Sequence, residues 1–213
     1  MAKAALLVVS LDAFLKSRPW MYHLTARENL PGILATHRLC SAAVLLVHAT
    51  VTVRHRRPES VPVPTPWGTV LIRDQKPLHP GHLKLQPGFS FEDLIELLNR
   101  HVFFWPGTDA GPSRYGRTHF ARYASSAPVF LRLPTRRLFE RYPDAVRLCR
   151  YNSGAPRTVR GQKSPRGPDL FLPPERFSGN PSAVVEVAIP TDVELPDGTQ
   201  RATTPSGPWA PFP

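Results

Sequence analysis

Three polar side chains sit inside runs expected to be apolar strands, and their types are those of ionic chemistry. Val184-Val185-Glu186-Val187-Ala188-Ile189 carries one carboxylate, Trp20-Met21-Tyr22-His23-Leu24 carries an imidazole, and Thr69-Val70-Leu71-Ile72-Arg73 ends in a guanidinium. A carboxylate in such a strand must face solvent or be satisfied by partners. Taken alone, each of the three reads as a satisfied structural residue, Glu186 alternating outward with Val184 and Ala188 on its own face. Taken together, they could converge on one cleft. Other chemistries lack their minimum pattern: there is no Gly-x-x-x-x-Gly-Lys-Ser/Thr, no Gly-x-Gly-x-x-Gly and no His-Glu-x-x-His. His79 and His82 have no third ligand near them in sequence and read as a solvated turn. Gly111-Pro112-Ser113-Arg114-Tyr115-Gly116 misses the nucleophile-elbow spacing by one residue. No metal is expected.

The elements that must position these groups follow from apolar periodicity and from proline and glycine punctuation. Leu11–Arg18 reads as a helix and Trp20–Leu24 as a strand. Thr25 with Glu28 has the pattern of a capping box, predicting a helix with Leu30, Ile33 and Leu34 on its apolar face; Ser41 starts a second helix through Val44 and Leu45. Val51–Arg54 and Thr69–Arg73 read as strands separated by a loop holding Pro58, Pro62, Pro64 and Pro66. Ser90 with Asp93 caps a helix over Phe91–Asn99, followed by a strand His101–Trp105 that Pro106 ends. Pro128–Leu133 and Ala183–Ile189 complete the strands. Between Tyr151 and Ser182, ten glycines and prolines interleave with Arg157, Arg160, Lys163, Arg166 and Arg176, which predicts a long loop of the functional kind. The tail from Thr203 is Pro-rich and expected to fray.

Length and composition bound the class. A chain of 213 residues favours one domain, and 41% hydrophobic residues with 11 Phe, 5 Tyr and 4 Trp exclude a disordered chain. The apolar runs Ala4–Val9 and Ala42–Val47 are too short to cross a bilayer, so no membrane partner is expected. Cys40 and Cys149 stand apart, without a Cys-x-x-Cys motif or a Cys/His cluster, which fits a reducing cytoplasm. The net charge of +11 points toward polyanions, although 22 of the 27 basic residues are Arg, as codon bias in a GC-rich genome also produces. Position adds to composition: residues 110–180 hold 13 arginines and Lys163 against Glu140, Asp144, Asp169 and Glu175, a local charge of +10. The charge is concentrated as on a binding face.

The stretch Tyr22-His23-Leu24-Thr25-Ala26-Arg27-Glu28-Asn29-Leu30-Pro31-Gly32-Ile33-Leu34 resembles the N-terminal signature of the DarT-type DNA ADP-ribosyltransferase toxins, an aromatic-His-x-Thr strand running into an Asn-Leu-Pro-x-Ile-Leu helix. Asn99–Pro106 is similar to that family's aromatic strand, and Val185–Val193 to the strand carrying its catalytic Glu. The resemblance implies an α+β fold, a split pair of small mixed sheets with flanking helices in a single domain over residues 20–195. A helical extension at 1–19 precedes it and the Pro-rich tail at 196–213 follows. It also implies NAD as co-substrate, with Tyr22, His23 and Thr25 at the nicotinamide end and Asn29 near the ribose. Arg73 takes the place of the active-site arginine and Glu186 that of the catalytic carboxylate. Transfer passes through an oxocarbenium-like ribose that a carboxylate stabilises, and the pyrophosphate needs fixed positive charge such as Arg73.

The acceptor implied is a nucleobase in single-stranded DNA or RNA, with Tyr151, Asn152, Arg157, Arg160 and Arg166 on the substrate side, in a monomeric, toxin-like enzyme with room for an antitoxin partner. Leu45–Pro66 and Tyr151-Asn152-Ser153-Gly154 have no counterpart in the toxins, which leaves open a sister family with a different acceptor. Transfer to a protein or small molecule, an RNA 2'-phosphotransferase and a nonenzymatic nucleic-acid binder are the alternatives.

Overall fold

A computed structural model describes residues 8–155, 158–159 and 162–213. The fold is α+β. Its centre is an eight-stranded sheet in which every paired neighbour is antiparallel, ordered Ala210–Pro211, Gln200–Ala202, Val129–Pro134, Trp20–Thr25, His101–Thr108, Glu186–Pro190 and Arg147–Cys149; Gly111–Pro112 adds to His101–Thr108. These eight strands form one connected path, and four two-stranded pairs lie outside it among the described residues.

An opening in this path is visible in the register. Trp20, Met21 and Tyr22 pair with Gly107, Pro106 and Trp105, and the ladder then stops, although Trp20–Thr25 stays paired along its whole length with Val129–Pro134. On the other edge of the central strand, Val187 to Pro190 pair with Phe104 back to His101. One half of His101–Thr108 therefore serves one neighbour and the other half serves the second. Past Tyr22 the sheet parts.

Helices cover both faces because strand alternation sends apolar side chains to each. Met21, Val129, Leu131, Val187 and Ile189 join Phe14, Ile33, Leu138 and Phe139 of three helices in the largest buried cluster. Ala188 and Cys149 pack with Leu94, Ile95 and Leu98 of helix Phe91–Asn99. Tyr22, Leu24, Trp105 and Phe130 pack with Phe120 of helix Arg114–Ala121. Helix Leu11–Ser17 contributes Phe14 to the main core and so packs as part of the same body.

Several elements differ from expectation for local reasons. No capping box forms at Thr25; the strand runs through that residue, a single 3-10 turn covers Arg27–Asn29, and the helix is Leu30–Thr36. Pro62 and Pro64 lie within a strand, Val61–Thr65, which among the described residues pairs only with Gly68–Ile72 and keeps both prolines exposed, the placement that a missing N–H tolerates. Val51–Arg54 is irregular, held to helix Phe91–Asn99 by Asn99 Nδ2 donating to the Val53 carbonyl (2.7 Å) and by Arg54 on Asp93 and Glu96 (2.8 and 2.7 Å). The central strand continues through Pro106 to Thr108. The long loop contains short ladders at Thr158–Val159 with Gln162–Lys163 and at Pro165–Arg166 with Lys84–Leu85. The tail does not fray: Ala210–Pro211 pairs with Gln200–Arg201, and Trp209 packs against Tyr22 and Arg132.

Candidate functional site

A cavity of about 260 Å³ lies at the opening of the sheet, and its lining draws together His23, Thr25, Asn29, Arg73, Asn152 and Glu186 from segments far apart in sequence. His23 stands at the fork. Its Nδ1 is 2.9 Å from the Phe103 carbonyl oxygen, taking up backbone hydrogen-bonding capacity where the ladder between the two strands has stopped. Burial, assisted by the positive charge of Arg73, holds its pKa down to about 4. The imidazole is neutral.

Glu186 opens the strand Glu186–Pro190 and is 2% exposed. The solvent-facing reading of this residue is therefore replaced by the satisfied one: the Ser153 backbone N–H donates to Oε2 at 3.0 Å. Burial pushes the carboxyl pKa up to about 7, and the Ser153 contacts and the charge of Arg166 hold it from rising further. A carboxyl poised near neutrality inside a cavity is a frequent mark of a functional site.

Arg73 supplies the opposite charge. Both terminal nitrogens of its guanidinium are buried and make no hydrogen bond among the described residues; the group lies 4.8 Å over the Tyr123 ring. Burial lowers its pKa to about 10. A second buried guanidinium, Arg57, braces it: Nε donates to the Arg73 carbonyl at 2.9 Å and Nη1 to Asn99 Oδ1 at 2.8 Å. Buried cations are normally paired or hydrogen-bonded, so the free donors of Arg73 form a ready site for an anion.

Thr25 and Asn29 act on each other and on the Arg73 hairpin. Asn29 Nδ2 donates to Thr25 Oγ1 and to the Leu71 carbonyl, each at 3.1 Å, and its Oδ1 accepts from the Leu71 amide at 2.6 Å. Asn29 thereby clamps the hairpin that presents Arg73 to the end of the strand that presents His23.

Not every residue named from sequence reaches the cavity. Tyr22 is fully buried away from it, its hydroxyl donating to the Thr108 carbonyl at 2.5 Å and its ring against Trp209, so its role is structural and not cofactor-binding. Arg166 is likewise buried, not a solvent-facing contact: it donates to the carbonyls of Ala155 (3.1 Å) and Pro165 (3.2 Å) and lies 4.9 Å over the Tyr151 ring. Tyr151 is engaged there as well. Phe120 is in the core. Arg157 and Arg160 lie outside the described residues. Asn152 lines the cavity.

The sequence also concealed contributors. His119 stacks on Trp105 (4.2 Å between centroids, 19° between planes), lines the cavity, and is held neutral by burial and then by Arg73, with a pKa down to about 3. Nothing in its arginine-rich helix singled it out. Arg57 was hidden in the proline-rich stretch, whereas Ser153 belonged to a motif visible in sequence. Among the described residues, no group of three or more His, Cys, Asp or Glu side chains could hold a metal, and no helix is long and apolar enough to cross a membrane.

The fold and cavity define an α+β domain with a forked antiparallel sheet and an open-mouthed cavity that sets one poised carboxyl among neutral imidazoles and an unpaired guanidinium. Residues 19–198 match the Family of unknown function (DUF7002), and the chain belongs to that family. No curated protein and no solved structure matches it.

Proposed function

We propose that the protein is a NAD-dependent ADP-ribosyltransferase whose acceptor is a nucleobase in single-stranded nucleic acid. One observation carries this reading: His23, Thr25, Asn29, Arg73 and Glu186, named by their resemblance to the DarT-type toxins, line one cavity. The unpaired guanidinium of Arg73 fits the diphosphate of NAD, and neutral His23 fits the ribose at the nicotinamide end. In transfer, the bond from ribose C1′ to the nicotinamide nitrogen breaks and its electron pair leaves with nicotinamide. A nucleobase nitrogen bonds to C1′ and gives up its proton. Glu186, ionised above about pH 7, faces the positive charge that develops on the ribose and is placed to take that proton.

The test is incubation with NAD labelled in the adenylate half and a panel of single-stranded DNA, single-stranded RNA, duplex, protein and free nucleosides. Label in a single-stranded oligonucleotide, lost in Glu186→Gln, is the expected result. Label confined to protein or nucleoside would replace the acceptor, and no label in any substrate would overturn the transferase reading.

A further inference from the structure

The carboxyl at the cavity depends on a turn, and that turn depends on a buried arginine outside the cavity. Ser153, whose N–H holds Glu186 Oε2, sits in the turn closed by the Ala155 amide on the Asn152 carbonyl (3.1 Å). The Ala155 carbonyl accepts from Arg166 Nη2 (3.1 Å), while Nη1 donates to the Pro165 carbonyl. Arg166 is itself fixed from three directions: it lies over Tyr151, its strand pairs with Lys84–Leu85, and its own carbonyl accepts from the Gln86 amide at 2.8 Å. A side chain that is 0% exposed and turns both terminal nitrogens onto loop carbonyls, leaving Nε buried and without a partner among the described residues, is not built to bind solvent-borne phosphate. It is built to hold a loop.

We infer that Arg166 is a positioning residue: it clamps the Asn152–Ala155 turn so that Ser153 meets Glu186, and it provides the cationic neighbour of that carboxylate. The inference rests on the reading of Glu186 as the catalytic carboxylate for its consequence, but its structural content stands without it. Arg150, the other guanidinium near Cys149, donates to the Ser178 hydroxyl (2.7 Å), and Arg73 with the neutral His23 and His119 shares the cavity with Glu186. The paired strand places Cys149 opposite Glu186, and burial raises that thiol's pKa, keeping it neutral. The central strand on the other side brings Phe103 and Phe104 next to Glu186's neighbours, with its titratable residue, His101, paired at Pro190 at the far end. Tyr151 lies beneath the guanidinium. Burial lowers the Arg166 pKa, with Cys149, Tyr151 and Glu186 opposing the change.

The experiment follows carboxyl titration in protein carrying ¹³C at the Glu side chains, the Glu186 signal being assigned by its loss in Glu186→Gln, together with exchange of the Ser153 amide. Arg166→Met should move the Glu186 midpoint up by about one pH unit, as loss of a nearby opposite charge does, and should speed Ser153 exchange at least about tenfold. Arg166→Lys, which keeps charge and bulk if the Met variant fails to fold, should hold the midpoint while still speeding Ser153 exchange, because a lysine lacks the second donor and the flat face. An unchanged midpoint in folded Arg166→Met, or a wild-type Ser153 exchange rate in Arg166→Lys, overturns the inference. Neither readout needs NAD, so a protein that shows both effects and transfers no ADP-ribose would refute the proposed function and leave the clamp standing.

Discussion

His23 and Phe103 meet across the opening in the sheet, the imidazole Nδ1 lying 2.9 Å from the Phe103 carbonyl oxygen. A carbonyl only accepts, so Nδ1 carries the proton and Nε2 is left an acceptor. His23→Ala is expected to weaken NAD binding by about tenfold, the loss of one or two buried hydrogen bonds, in a calorimetric titration. Because the folded pKa is depressed to about 4, the group contributes stability above its unfolded value of 6.5, and that stability is lost as pH falls toward 4. A folded variant with wild-type NAD affinity would remove His23 from the cradle.

Glu186→Gln keeps the volume and the acceptor oxygen for Ser153, so the fold should persist while transfer falls by about two to three orders of magnitude. Stability against pH gives a second check with a defined sign. The folded pKa of about 7 lies above the ordinary 4.5, so Glu186 contributes full stability below pH 4.5 and loses it as pH rises to 7. Chemical unfolding at pH 5 and pH 8 should therefore show Glu186→Gln gaining on wild type at the higher pH, by on the order of 3 kcal/mol. Equal pH profiles for the two proteins would mean the carboxyl is ionised throughout.

Arg73 couples function to instability. Its guanidinium is buried with free donors, so Arg73→Met should stabilise the ligand-free protein by about 1 kcal/mol and reduce NAD affinity by at least about tenfold. Loss of the contact with Tyr123 offsets part of the gain. A variant with a lower melting temperature and unchanged NAD affinity would make Arg73 a structural residue.

What was legible in the sequence was local. Ser90 and Asp93 form the reciprocal capping box expected of them, and Ser41 caps helix Ala42–Leu46, because each signal is complete within four residues. Thr25 carried the same local signal, yet its hydroxyl accepts from Asn29 Nδ2 and its backbone stays in the sheet, a tertiary choice. His23, Arg73 and Glu186 could be named as polar residues in apolar strands. Their meeting at one cavity depends on where the ladder after Tyr22 stops, which register alone decides. Arg166 looked like any other residue of an Arg-rich loop, and nothing in composition marks an arginine that folds inward onto Tyr151.

With Arg166 turned inward, the acceptor contacts proposed here are the arginines of helix Arg114–Ala121 and its end. Arg114, Arg117 and Arg122 are exposed there, no ion pair holds them among the described residues, and no acidic residue lies between Arg114 and Arg122. The same segment sends His119, Arg122 and Tyr123 to the cavity lining, so a strand whose phosphates follow the arginines would bring a base to the site. An unpaired base suits that entry better than duplex, since reaching the buried Glu186 requires leaving the stack. Each phosphate contact on a single strand contributes a log-log salt slope of about 0.7. Replacing Arg114, Arg117 and Arg122 together by Ala should thus flatten the slope by about two units in fluorescence anisotropy with a labelled oligonucleotide. Salt-independent binding, or a slope the triple replacement does not move, would place the acceptor elsewhere and favour a protein or small molecule.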